Sequence, residues 1–286
     1  MPAKFVNDEQ LLNAVRSGDE SALRDLLARH APTVFRFAMT MCRNRDDAED
    51  VAQETLLTAV RGAKGVRATA SFTTWLYVVA RNFCIKMRRR RKHQPSADAD
   101  PDATLSEPPS HMGTPDEHFG SHELATALEK AIAGLDDKHR EVIVLRDVEG
   151  LPASDVAAVL GVTVEAVKSR LHRARAEVRA RLGELAPVAP RSAPPMESPC
   201  SEIGTTFSRY LEGEIGPDAC AALQRHVQSC TSCNAVCEDL RRTVALCRQT
   251  GTSPLAPDVQ ARLRTVLENA LREAGSTAKR SRSAKS

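Results

Sequence analysis

The chain has 286 residues, of which 42% are hydrophobic and 3% aromatic, and a formal net charge of +3. At roughly 100–150 residues per domain it should hold more than one domain, and the scarcity of aromatics favours small helical domains over sandwiches or barrels. No apolar run approaches the ~20 residues of a membrane span, and the opening Met1–Asp8 carries no apolar signal core. A cytoplasmic protein is therefore expected, and in a reducing compartment clustered cysteines serve more often as metal ligands or sensors than as disulfides.

In chain order, residues 8–93 carry apolar positions at three-to-four spacing, among them Leu11, Leu12, Val15, Leu23, Leu26, Val34, Phe37, Met41, Val51 and Leu56. That period predicts a helical bundle. Cys42 and Cys84 fall in apolar helical contexts and read as core residues. The bundle ends in Lys86-Met87-Arg88-Arg89-Arg90-Arg91-Lys92, six cations in seven positions. Residues 94–120 hold five prolines, six acidic residues and no Lys or Arg, the composition of a disordered acidic linker. Residues 121–185 are helical again. A Pro-rich linker covers 187–199, and a cysteine-rich segment covers 200–250 with six of the eight cysteines. An amphipathic helix is expected over 254–274 through Val259, Leu263, Val266 and Leu267, followed by a basic disordered tail at 275–286. The fold class expected is all-α.

Gly150 to Arg175 reads as a helix-turn-helix. Ala157 is small where two helices cross, and Gly161 sits where the turn needs a left-handed backbone. Val156, Leu160, Val162, Val167 and Leu171 supply the shared core, and Thr163 can cap the second helix. The exposed face of that helix is expected to carry Lys168, Ser169, Arg170, Arg173 and Arg175, a set suited to the major groove. The bland alternative is a helical hairpin with a solvated basic face. In the basic block upstream, Phe72, Trp75 and Tyr77 beside Arg81 and Asn82 could offer stacking surface to unpaired bases.

Asp47-Ala48-Glu49-Asp50-Val51-Ala52-Gln53-Glu54-Thr55 resembles the core-polymerase-binding helix of bacterial extracytoplasmic-function sigma factors. The segment Phe72 to Asn82 resembles their promoter-melting segment, and Leu135 to Arg175 their minus-thirty-five reading domain. The resemblance covers roughly residues 8–183. It implies a sigma domain two at 8–93 and a sigma domain four at 121–185, with RNA polymerase core and promoter DNA as partners. It further implies that Asp50, Gln53 and Glu54 face the polymerase. Trp75, Arg81, Asn82, Lys86 and Arg88 would lie near the minus-ten strand, and Lys168, Ser169, Arg170 and Arg173 at the minus-thirty-five duplex. It implies no active site, no small-molecule substrate and no membrane partner. Pro152-Ala153 departs from the family, where a small polar residue and an aromatic are common, so a modified helix start is expected.

His226-Val227-Gln228-Ser229-Cys230-Thr231-Ser232-Cys233 places three metal-ligand types on one face if the segment is one helix. A tetrahedral site needs a fourth ligand, and Cys200 is the best candidate. The spacing around Tyr210-Leu211-Glu212-Gly213-Glu214 resembles the zinc-binding anti-sigma domain, here fused to its client. Cys220, Cys237 and Cys247 are surplus and could add ligands for sensing. Thiolate-rich sites favour zinc, copper(I) or cadmium, and the layout resembles metal-responsive sigma factors with a cysteine-rich C-terminal domain. A thiol redox switch and a purely structural zinc remain open, as does a stand-alone helix-turn-helix regulator, against which the segment at 47–55 argues. A zinc-dependent nucleic-acid enzyme would need a His-x-Glu beside an open metal site, and no such motif accompanies the cysteines.

Overall fold

The computed structural model describes residues 7–66, 72–93, 115–185, 200–252 and 255–283, and every regular element among them is helical. The chain divides into two compact units, one of residues 1–110 with 254–286 and the other of residues 111–253.

The first unit contains α1 (Asp8–Arg16), α2 (Glu20–Cys42), α3 (Arg45–Gly62), α4 (Phe72–His93) and a final helix, α12 (Pro257–Ser283). Short polar side chains start three of them. Asn7 accepts from the Gln10 N–H, Asp19 from those of Ser21 and Ala22, and Asn44 from that of Asp47. Leu26, Phe37 and Met41 of α2, Leu56 of α3 and Leu76 and Tyr77 of α4 are buried in a common core. Phe37 and Tyr77 meet edge-to-face at 5.2 Å. The last helix packs on α2 and α3 through Val259, Leu263, Leu267 and Ala270. Arg262 Nη1 lies 3.0 Å from Glu49, and Arg45 pairs with Asp258, both at the exposed margin. The helix runs to Ser283, beyond Gly275, where the sequence pattern predicted a disordered tail. Its apolar stripe lies wholly within the part expected.

The second unit contains α5 (Pro115–Ala133), α6 (Asp137–Ile143), a single π-turn (Val144–Val148), α7 (Ala153–Leu160) and α8 (Val164–Leu185). It continues with α9 (Ile203–Leu211), α10 (Pro217–Ser229) and α11 (Thr231–Thr252). Of the acidic linker, residues 94–114 lie outside the described residues, as does the whole of 187–199; α5 takes up 115–120. Gly161 ends α7 at φ 66, the left-handed geometry expected of the turn. Thr163 accepts from the Ala166 N–H at 3.1 Å, and Val156, Ala157, Leu160, Val167 and Leu171 are buried. The modified start of α7 is also present: Pro152 precedes it with no side-chain cap.

The π-turn is the local departure that matters. One extra residue in the turn rotates the later side chains about the helix axis. Asp147 is carried into the interior at 2% exposure, while the apolar Val148 is only half-buried. The end of α11 closes over this turn at Gly251, where an added Cβ would clash with the Val148 carbonyl oxygen. Gly251→Ala is therefore expected to push α11 off the π-turn and cost about 1–3 kcal/mol, read as a lower urea midpoint at unchanged slope.

Candidate metal centre and nucleic-acid interface

The segment from His226 to Cys233 is not one helix. α10 stops at Ser229, and Cys230 comes next in an extended conformation, φ −121 and ψ 106. α11 then begins at Thr231. The break folds the sequence back, so that His226 on α10 and Cys233 on α11 converge across the corner rather than along a shared face. Cys200, in the turn before α9, closes the group.

The four candidate donors, Cys200, His226, Cys230 and Cys233, lie within 4.8 Å of one another. His226 Nε2 stands 3.1 Å from Cys233 Sγ and 3.5 Å from Cys200 Sγ. A tetrahedral zinc with bonds of about 2.3 Å to sulfur and 2.0 Å to nitrogen spaces its donors roughly 3.5–3.8 Å apart. Three cysteines and one histidine at these separations fit such an ion. Charge supports the fit. Hydrogen bonds, led by the Cys233 backbone N–H, hold the Cys230 thiol below its usual range. Burial, with the adjacent thiols, pushes Cys233 up to about 12. Three crowded sulfurs cannot all ionise without a cation among them.

Cys220, Cys237 and Cys247 do not join this group. Cys247 is fourteen residues beyond Cys233 on α11, roughly 20 Å along the axis at 1.5 Å per residue. Burial raises its thiol above the ordinary value and pushes that of Cys237 up to about 11. Both side chains belong to the apolar interior. Cys220 donates to the Ile215 carbonyl oxygen at 3.6 Å. Cys220, Cys237 and Cys247 lie outside the group of four, and Cys237 and Cys247 are packed in the interior.

The loop after α9 carries the second feature. Gly213, at φ 69, turns the chain so that Glu212 and Glu214 both point at α8. Arg175 was expected on the exposed face of α8 and is instead 2% exposed. Its Nε and Nη2 donate to Asp147 at 2.7 and 2.6 Å, Nη2 also donates to Glu212 at 2.7 Å, and Nη1 donates to Ser208 Oγ at 3.0 Å. Arg146 donates to the other Glu212 oxygen at 2.9 Å. Burial alone would raise the Glu212 carboxyl, but Arg175 and Arg146 outweigh it and hold it below the ordinary 4.5. Glu214 lies 3.7 Å from Lys168 Nζ and 3.5 Å from His172 Nε2. Sequence periodicity offered no signal for Asp147, because a period of 3.6 assigns it to the surface and only the π-turn brings it in.

The remaining interface candidates are split by exposure. Ser169 and Arg173 are exposed, and Lys168 and Arg170 half-buried. In the first unit Asp50, Gln53 and Glu54 are exposed on α3, as are Asn82 and Lys86 on α4; Trp75, Arg81 and Arg88 are half-buried. Phe72 and Tyr77 correct the expectation of a stacking surface. Both are core residues, at 3% and 1% exposure, so Trp75 alone of the three reaches the surface. Its ring lies against α3, 3.1 Å from where a Cβ on Gly62 would stand.

Glu212→Gln removes one charge from the buried network and is expected to cost about 3 kcal/mol at neutral pH. Because the folded carboxyl is held below 4.5, its contribution is complete above that value and is lost as pH falls through the lower folded value. The gap between wild type and variant, measured by urea unfolding across pH, should close on acidification.

Residues 26–94 match the family model Sigma-70 region 2, residues 125–178 match Sigma-70 region 4, and residues 200–234 match the model described as "Putative zinc-finger". The chain is 32% identical over 179 residues to the ECF RNA polymerase sigma factor SigM of Mycobacterium tuberculosis, covering 63% of this chain and 86% of that one. It is 30% identical over 179 residues to SigW of Bacillus subtilis, covering 61% and 96%. Among solved structures, the sigma factor RpoE bound to the anti-sigma factor NepR, from Bartonella quintana, is 28% identical, with 56% and 93% coverage and a TM-score of 0.44. With both sigma regions in order and most of each curated relative's length covered, this chain belongs to the extracytoplasmic-function RNA polymerase sigma factors, proteins that initiate transcription and are not enzymes.

Proposed function

We propose that this sigma factor is regulated in cis by its cysteine-rich module, which binds a thiophilic metal through Cys200, His226, Cys230 and Cys233. The observation that carries the reading is the reach of Glu212 and Glu214 from that module onto Arg175, Arg146, Lys168 and His172 of the helix-turn-helix domain. Lys168 belongs to the DNA-reading face, so a carboxylate beside it competes with phosphate for the same cation. When bound, the ion supplies positive charge that lets three thiols ionise together, and it ties the turn at Cys200 to α10 and α11. The segment bearing Glu212 and Glu214 lies between these ligands in sequence, so a change in ligation bears directly on where the two carboxylates sit. Such coupling requires two module arrangements of different metal affinity.

In this reading Asp50, Gln53 and Glu54 meet the polymerase core. Trp75, Arg81, Asn82, Lys86 and Arg88 engage the minus-ten strand, and Lys168, Ser169, Arg170 and Arg173 engage the minus-thirty-five duplex. The exposure of Asp50, Gln53, Glu54, Ser169 and Arg173 supports it. The helix α12 packs on α3 at Arg45 and Glu49, one residue from Asp50, and leaves the three polymerase-facing side chains accessible.

The deciding experiment is in-vitro transcription with purified polymerase core across zinc, copper and cadmium concentrations. Full-length protein should change output with one of these metals, and a chain lacking residues 196–286 should not. Cys233→Ser should abolish both metal binding and the response, and metal uptake by wild type should release protons, measurable in a weakly buffered titration. Identical transcription by the two chains at every metal concentration would remove the reading. Arg173→Ala should weaken promoter binding by about 1–3 kcal/mol if it reads a base, or uniformly across sequences with a shallower salt dependence if it holds a phosphate. Electrophoretic titration at several salt concentrations distinguishes the two.

A further inference from the structure

Cys42 and Cys84 do not behave as two separate core residues. Their sulfurs lie 3.6 Å apart although the residues are 42 positions distant in sequence. Cys84 is buried at 1% exposure in the middle of α4, on from two other core residues of that helix, Tyr77 and Ala80. Cys42 is the last residue of α2 and is half-buried. Arg43 comes next in the left-handed conformation, φ 58, and its N–H caps α2 on the Met39 carbonyl. The pair thus consists of one sulfur fixed in a continuous helix and one at a helix end, partly open to solvent. A disulfide needs the sulfurs at about 2.05 Å, a closure of about 1.5 Å from the present contact. The end of a helix, with no further turn beyond it, is where such a shift costs least.

We propose that Cys42 and Cys84 form a reversible dithiol oxidation site whose oxidant is a hydroperoxide. The Cys42 thiolate attacks the peroxide, forming an S–O bond as the O–O bond breaks; the departing hydroxide takes a proton and leaves as water. Cys84 then attacks the Cys42 sulfur. The S–S bond forms, the S–O bond breaks, and the oxygen leaves as a second water with the Cys84 proton. Two thiols and hydrogen peroxide give one disulfide and two waters, with two electrons passing from the sulfurs to the peroxide. Burial of Cys84 directs the chemistry: the sulfenic acid forms on Cys42, where peroxide can enter, and is resolved by Cys84, whose sulfur lies 3.6 Å away. The bond ties the end of α2 to α4 two residues from both Asn82 and Lys86. Its effect on promoter opening rests on the assignment of those residues to the minus-ten strand made above.

The test uses the zinc-loaded full chain treated with hydrogen peroxide, followed by alkylation and peptide mapping. The expected product is a Cys42–Cys84 linked peptide, lighter by two hydrogens than the reduced pair, absent from Cys42→Ser and reversed by dithiothreitol. Recovery of both cysteines as free thiols, or of Cys42 as sulfinic acid with Cys84 free, under conditions that oxidise the C-terminal module would overturn the site. Promoter opening by polymerase charged with oxidised wild type should differ from that with reduced wild type, and oxidised Cys42→Ser should match the reduced protein. If the reduced protein opens its promoter and the fully linked protein opens it equally, the regulatory consequence is wrong. If the reduced protein with polymerase opens no promoter, the failure lies in the promoter assignment instead.

Discussion

Burying a guanidinium costs several kcal/mol unless carboxylates surround it, and the two that surround Arg175 come from opposite directions. Asp147 arrives from the π-turn of the helix-turn-helix domain, and Glu212 from the loop of the cysteine-rich module. Neither acid could remain buried alone, and Arg175 could not either. The three groups therefore specify one docking of module on domain, because any slip of α9 along α8 strands a charge away from water. Ser208 adds its hydroxyl to the same guanidinium, and Arg146 shares Glu212. Buried ion pairs of this kind contribute more to selecting an arrangement than to total stability.

In the function proposed above, that network makes the candidate metal centre and the proposed DNA-reading face one physical problem. The ligands gather at the corner between α10 and α11, and α11 runs from there across the π-turn to Gly251. α9 leads from the Cys200 turn to the loop of Glu212 and Glu214. One ligand thus stands at the start of the helix that delivers the carboxylates, and another at the start of the helix that covers Asp147. Burial and crowding oppose ionisation of the Cys233 thiol, so an ion bound there would change the charge and the connections of both helices together.

The first unit obeys a different logic. Its core is mainly apolar, and α12 is added along α2 and α3 by leucine and valine contacts with ion pairs at the margin. Exposed pairs of that kind contribute little individually, so hydrophobic area determines how firmly α12 is held. The close contact of Cys42 and Cys84 brings two thiols together within this unit.

Much of this was legible in the residues alone. Apolar spacing of 3.6 marked the helices, Gly161 and Thr163 marked the helix-turn-helix, and His226, Cys230, Cys233 and Cys200 were identifiable as a candidate ligand set because local chemistry and spacing carry that information. The sequence motifs also pointed to the sigma family before any tertiary contact did. What they could not specify were relations between distant segments. A π-turn has no composition of its own, so nothing marked Asp147 as buried, and Arg175, its partner, read as part of the exposed DNA-facing set. Phe72 and Tyr77 read as a stacking surface because helical period alone does not say which neighbours cover a face. The 42 residues between Cys42 and Cys84 hid their contact for the same reason: which sulfurs touch is decided by how helices cross, a property of the assembled core that no local pattern encodes.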